Sequence, residues 1–322
     1  MSVAVGAPVL AGGLAAVGLL AAGPASALLA RAEWPARSPT AALVLWQSVC
    51  LCAGLAVIGG MVVLAVEPLG PRLPAALTAL VRNILDGAAL RDLPGWRAGL
   101  LLLAATIAGS LLAVLIRCGV LTVRRRRAHR ELLDLLTLPT EPEGGAHRYP
   151  QGVQLLDHAA PVAYGVPGWH TRLVLTVGLV DLLSGRQLAA VVAHERAHLR
   201  AHHDLLLLPF QAWSAALGRL PGVNAARAAV AALAEMHADD AAARAVDPGT
   251  VASALATVVL AGPGTSNQLG SELPEIGSTA VIRRVARLRS PRPLSAGRTT
   301  LVYLAALLVL LAPAAVLIVD WS

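Results

Sequence analysis

Four stretches of the chain carry no charged residue and approach or exceed the length needed to cross a bilayer: residues 3–30, 41–66, 99–116 and 300–319. A hydrocarbon core about 30 Å thick takes roughly 20 residues of helix, each rising about 1.5 Å. No water in that core satisfies backbone N–H and C=O groups, so such runs are expected to be helices. The third run continues through Arg117 to residue 123, with Arg117 able to carry its guanidinium out to the headgroups. Residues 3–30 also have a feature of a secretory signal, the small-residue triplet Ala25-Ser26-Ala27. No positive residue precedes them and the run is long, which favours a retained first span. Residues 67–97 are a mixed, Pro-containing loop whose middle, 75–90, reads as an amphipathic helix on the membrane surface. A mean hydropathy of +0.67 is too high for an ordinary soluble domain.

The chain has no lysine, and Arg carries its formal net charge of +7. Much of that charge sits beside the apolar runs, as Arg124–Arg127 with Arg130 and as the basic piece from Arg283 to Arg289. Positive residues flanking spans are biased to the cytoplasmic side. Residues 124–299 are therefore expected in the cytoplasm, and the N-terminus outside. The link 31–40, with two Arg against one Glu, agrees, and the loop 67–97 fits less well. Basicity used in this way argues against direct nucleic-acid binding and for contact with membrane lipids. Cys50, Cys52 and Cys118 lie inside apolar runs and form neither a disulfide framework nor a CxxC metal site. They read as small packing residues. The chain ends at Asp320-Trp321-Ser322, so no outside domain is expected after the fourth span.

Residues 124–299 contain no further convincing span. A helix extending the third span over 131–138, then a Pro/Gly/Glu-rich connector over 139–150, are expected first. Strands at 153–156, 162–165 and 172–177 follow, punctuated by Gly165, Pro167 and Gly168. Ser184 with Gln187 three residues on is a capping-box signature, and the residues beyond favour helix to about His203 or Asp204. Within that helix lies His194-Glu195-Arg196-Ala197-His198, an HExxH motif. Residues four apart share a helix face, so both imidazoles can reach one metal ion. Glu195 lies about 100° around the helix, placed to take a proton from a water on the metal. Residues 205–217 are apolar but too short for a confident span, and either lie against the bilayer or pack in a core. Asn224 is expected to cap a long helix over 225–246, and Asp247 another over 250–261, before a loop at 262–275.

A catalytic zinc commonly has three protein ligands and one open position. Asp204, six residues past His198, is one candidate. Ala201, however, replaces the Gly that would let the chain turn back. His202 shares the face of His198, but three ligands along one straight helix would span about 12 Å, too far for one ion with Zn–N bonds of about 2 Å. Glu235 is the favoured third ligand. It sits mid-helix among Ala, Val and Leu, with Asp239 four residues on, able to hydrogen-bond a ligating imidazole. His237 and Arg244 are candidate donors to a developing oxyanion. Arg172, Val174 and Thr176 are candidate substrate contacts, if their strand is an exposed edge to which a peptide adds.

An HExxH helix, a later helix bearing ExxxD and a preceding strand at 172–177 are similar to the gluzincin membrane peptidases, which include CAAX prenyl proteases and HtpX-type heat-shock proteases. Three spans, a zinc domain and a last span more closely resemble the BlaR/MecR-type transducers, the segments 173–179 and 188–204 matching best. This resemblance implies a mainly α membrane protein with four transmembrane helices. An α+β zincin-like domain at 124–299 would be inserted between helices three and four, with 1–123 and 300–322 in the membrane. It implies one Zn2+ per chain on His194, His198 and Glu235, and Glu195 as general base. It also implies cleavage of a protein substrate, often a cytoplasmic transcriptional repressor or the enzyme itself. The outside penicillin-binding domain of the beta-lactam sensors has no counterpart here, which argues against direct beta-lactam sensing.

Overall fold

The computed structural model describes residues 6–88, 93–136, 153–166, 171–218, 221–261, 274–317 and 320–321. The connector expected at 139–150, Pro167, Gly168 and the loop at 262–273 lie outside them.

The first apolar run is helix α1 (Ala7–Leu20), a π-helical turn (Ala21–Ala25) and α2 (Ser26–Arg31). Pro24 lies inside the π turn, where the missing N–H is accommodated by widening the helix. A single 3-10 turn, Trp34–Arg37, leads into α3 (Pro39–Val66). The surface helix of the following loop is α4 (Leu73–Leu85), and the third run is α5 (Gly95–Leu136). Four segments are long and apolar enough to cross a membrane: Ala7–Arg31, Pro39–Leu69, Gly95–Arg124 and Ala296–Ala314. Lipid tails are as apolar as Leu, so spans associate by close packing of small residues. The α1–α3 crossing does this: a Cβ on Gly60 would meet the Ala11 carbonyl oxygen at 2.9 Å, and one on Gly18 would clash with Val57. α4 turns Leu73, Ala76 and Leu80 onto this bundle and leaves Val81, Ile84 and Leu85 exposed.

α5 runs unbroken to Leu136, carrying the helix of the third span into the extension expected at 131–138. Strands β1 (Val153–Leu156), β2 (Ala163–Val166) and β3 (Arg172–Thr176) form one sheet in the order β1-β3-β2. β1 runs parallel to β3 and β2 antiparallel, with Tyr164 opposite Val174 and Gly165 opposite Leu173. β3 is therefore central, which corrects its reading as a free edge. Its neighbours take its backbone groups, Val174 is fully buried, and the Thr176 side chain caps the next helix by accepting from Leu179 N–H.

That short helix, α6 (Val177–Leu182), precedes α7 (Gly185–Arg200), which starts at the expected capping box of Ser184 and Gln187. α7 ends three or four residues earlier than expected. His202 adopts left-handed backbone (φ 48°), and α8 (His203–Leu217) begins at once in a new direction. α9 (Pro221–Ala245) starts before Asn224, which is not its cap. Asn224 instead accepts from Ser214 Oγ and donates to the Gly218 carbonyl. Asp247 does cap α10 (Pro248–Leu260), accepting from Thr250 N–H at 2.8 Å. α11 (Pro274–Arg289) and α12 (Ala296–Leu311) complete the chain of helices.

Candidate metal centre

α7 and α9 pack together through alanines, Ala190 and Ala197 on one and Ala234, Ala238 and Ala242 on the other, all buried. Methyl-sized side chains let the two backbones come close, and the longer polar side chains then meet in the seam. His194 and His198 enter from α7 and Glu235 from α9, each offering a ligand atom within 4.8 Å of the other two. The Nε2 atoms of the histidines are 3.2 Å apart. They lie 3.5 Å and 3.4 Å from Glu235 Oε2 and Oε1. Two ligands at tetrahedral positions about 2.05 Å from one zinc would be about 3.3 Å apart. Glu235 Oε2 is buried and accepts no well-directed hydrogen bond, although Arg284 Nη1 is an ion-pair neighbour at 3.0 Å. Glu195, Glu235 and Asp239 share the pocket with the single guanidinium of Arg284, so a divalent cation would balance the charge. Spacing, donor set and charge all fit such an ion.

Each histidine is held from behind through Nδ1, which leaves Nε2 for the metal side. His194 Nδ1 donates to Asp239 Oδ1 at 3.1 Å, the contact expected from the ExxxD spacing. His198 Nδ1 is 2.8 Å from His203 Nδ1, and His203 Nε2 is 3.0 Å from His237 Nδ1. If His198 presents its Nε2 lone pair to a metal, every proton along this line is fixed. His198 donates to His203, and His203 donates to His237. His203 is 2% exposed. Sequence reasoning missed it, because on a straight helix five residues from His198 points elsewhere. Only the left-handed turn at His202 brings it back.

The second omission is Arg284, expected to be part of a basic flank on the membrane. It is buried instead, donating from Nε and Nη2 to both Asp239 oxygens at 2.7 Å while Nη1 faces Glu235. Arg287 likewise turns inward, to Asp240 and the Ala36 carbonyl. Nothing local in the sequence distinguishes Arg284 from its neighbours.

Burial and charge set the proton affinities. Burial lowers His194, but the hydrogen bond to Asp239 and the close negative charge of Glu235 outweigh it and bring the group up to about 10. Burial, opposed only in part by Glu235, takes His198 down to about 4. Burial beside His198 and His237 takes His203 down to about 3. Burial would raise Glu235 and Asp239, yet His194 and Arg284 hold Glu235 far below the carboxylate range and Asp239 at about 2. Glu195 is raised to about 7, chiefly by burial. Its Oε2 accepts from Gly165 N–H at 3.1 Å. A Cβ on Gly165 would sit 2.7 Å from Leu199, so only glycine lets β2 approach α7 this closely.

The other candidates fall outside the cluster. His202 is exposed at the helix joint, its Nδ1 3.1 Å from the Arg200 carbonyl oxygen, and Asp204 is in the first turn of α8. His237 lies behind His203, on the side away from Nε2 of His198, and so is not placed to meet an oxyanion. Arg244 is nine residues past Glu235, about 13 Å along the helix, in the last turn of α9. Arg172, Val174 and Thr176 are on the central strand.

Residues 145–299 match the sequence model of Peptidase family M48. M48 peptidases are metallopeptidases, and the match takes in the sheet, the HExxH helix, Glu235 and Arg284. Comparison with curated proteins and with solved structures finds no match.

Proposed function

We propose that the M48 domain makes this chain a membrane-embedded zinc endopeptidase, with His194, His198 and Glu235 holding one ion, Glu195 as general base and Asp239 positioning His194. The convergence of two imidazoles and a distant carboxylate beside a buried, proton-accepting Glu195 carries this reading. When bound, zinc supplies the positive charge that acidifies a water molecule and polarises a carbonyl. Glu195 takes the proton of the attacking water and can return it to the departing amine. Asp239 and His203 hold the two imidazoles in the tautomers that present Nε2.

A substrate strand would add to β2, whose outer edge borders Glu195 through Gly165. β2 is the edge strand beside α7, whereas β3 is enclosed. The matched residues, 145–299, begin after the third membrane-crossing segment and run into the start of the fourth at Ala296, which supports a domain inserted between them. Together with the arginine-flanked third span, that order supports a cytoplasmic domain working in regulated proteolysis. A repressor protein or the chain itself would then be the substrate. A second reading, quality-control proteolysis of the HtpX kind, is supported by a family match that carries nothing specific to transducers.

The test compares membranes containing the wild-type chain with membranes containing Glu195→Gln. Loss of the general base should slow cleavage by about 10²- to 10⁴-fold, and uncleaved substrate should accumulate and be identifiable by mass spectrometry. Identical protein patterns in the two strains, self-cleavage included, would leave a non-catalytic scaffold as the surviving reading.

A further inference from the structure

We propose that α8 and the first turns of α9 form a re-entrant hairpin inserted into the leaflet on the peptidase side, its outer face packed on lipid acyl chains. The sequence leaves residues 205–217 either against the bilayer or in a core, and beside its neighbour α9 the helix α8 meets the spans α3 and α5. Phe210 is buried with Trp46 and Cys50 of α3. Trp213 packs on the cluster that Ala21, Val49 and Ala53 of the first two spans form, and a Cβ on Gly54 of α3 would meet its ring at 3.9 Å. A Cβ on Gly222 would touch the carbonyls of Ala22 and Gly23 at 2.8 Å, within the π turn of the first span.

The charges that bracket the spans give the depth. Arg97, paired with Glu67, and Arg117 lie at the two ends of the apolar part of α5. Twenty helical rises separate them, about 30 Å, one hydrocarbon thickness. Counting the same length back along α3 from Glu67 puts the peptidase-side boundary near Gln47, whose Nε2 donates to the Leu206 carbonyl. Gly54 lies seven residues past Gln47, about 10 Å beyond that boundary. Trp213, whose ring lies against Gly54, is well inside the hydrocarbon.

The hairpin is built for that place. Residues 205–217 carry no charge, and Arg219 is the one charged residue between Asp204 and Arg227. Its charge is costly within a leaflet unless the long stem snorkels to the headgroups. At about 20 Å the uncharged stretch is too short to cross. Its turn would leave backbone groups unsatisfied in lipid. Here Asn224 donates to the Gly218 carbonyl while accepting from Ser214. Leu205 and Leu217 are 54% and 39% exposed, with no described protein segment covering them. Arg227 is the exposed charge on this part of α9, near enough to the boundary for its long stem to reach the headgroups. Glu235 is thirteen residues past Gly222, about 20 Å up the helix. The metal centre would then stand in the headgroup layer.

The full chain would be reconstituted in phosphatidylcholine–phosphatidylglycerol vesicles, with Cys50, Cys52 and Cys118 replaced by Ala. A nitroxide at Leu217→Cys would be compared with one at Arg244→Cys. Relaxation by oxygen should exceed relaxation by a water-soluble nickel chelate at 217 and the reverse at 244. Equal nickel accessibility at the two positions would overturn the proposal. On the unaltered chain, a lipid with a photoreactive acyl chain should label peptides covering 205–217. Labelling confined to the four spans would overturn it too. Zinc binding and cleavage by the same samples report on the peptidase reading separately.

Discussion

His194 and His198 come from one helix yet shift in opposite directions, because Asp239 and Glu235 outweigh burial at His194 whereas burial prevails at His198. A metal ligand must be neutral imidazole, so zinc has to expel the proton that His194 carries in the metal-free fold. At pH 7.5 zinc binding should release about one proton per ion, measurable by calorimetry in buffers of different ionisation enthalpy. Release close to zero would contradict the charge state assigned to His194. The imidazole of His203 works in the opposite sense on stability. Its folded pKa of about 3 is below an unfolded value near 6.5. Its contribution is complete above about pH 6.5 and is lost as the pH falls from there towards 3. His203 also fixes the tautomer of His198. Replacing it with Ala should weaken zinc binding about 10- to 100-fold, as read by chelator competition. An unchanged affinity would reduce the histidine line to packing. Glu195 must be ionised to act, so the rate should rise with pH through an ionisation at or below about 7, a bound cation pulling it lower.

At the scale of elements, the joint between α7 and α8 decides most. Left-handed backbone costs a residue with a Cβ about 1 kcal/mol, and a β-branched residue more. The strain at His202 redirects the chain so that α8 descends along the spans while His203 returns under His198. His202→Gly should keep or slightly raise thermal stability in detergent, and His202→Val should lower it by more than about 1 kcal/mol. Equal melting of the two variants would mean the joint is not strained. The ends of α7 and α10 show how far local chemistry reaches. Ser184 with Gln187, and Asp247 with Thr250, are caps that sequence spacing alone identifies. Asn224 has a capping side chain but serves the turn between α8 and α9, because the residues preceding it are already helical.

In the whole molecule, Arg284 ties α11, the helix ahead of the last span, to Glu235 and Asp239 of α9. A buried pair that loses one partner leaves the other charged and unsolvated, at a cost of about 3–5 kcal/mol. Arg284→Met should therefore lower the melting temperature, most strongly without metal, and zinc should recover part of the loss by taking over the charge of Glu235. Arg284→Lys should fall between, since an ammonium cannot reproduce the two parallel bonds to Asp239. Equal melting of wild type and Arg284→Met in the absence of zinc would show that the pair contributes nothing. At the other end of the bundle, Arg72 pairs with Asp320, and Trp321 donates to the Gly70 carbonyl at 2.8 Å.

Periodicity, length and spacing in the sequence were enough for the four apolar helices, the HExxH face, and the choice of Glu235 and Asp239 over Asp204 and His202. Each follows from a local rule: a rise per residue, a four-residue face, a carboxylate pair stranded among alanines. Tertiary structure alone decided that β3 is enclosed and β2 borders Glu195. It also brought His203 and Arg284 into the pocket and buried Phe210 and Trp213 between spans. Those outcomes depend on where segments distant in sequence meet, 45 residues apart for Asp239 and Arg284, and no short-range pattern encodes the direction in which a helix leaves a left-handed turn.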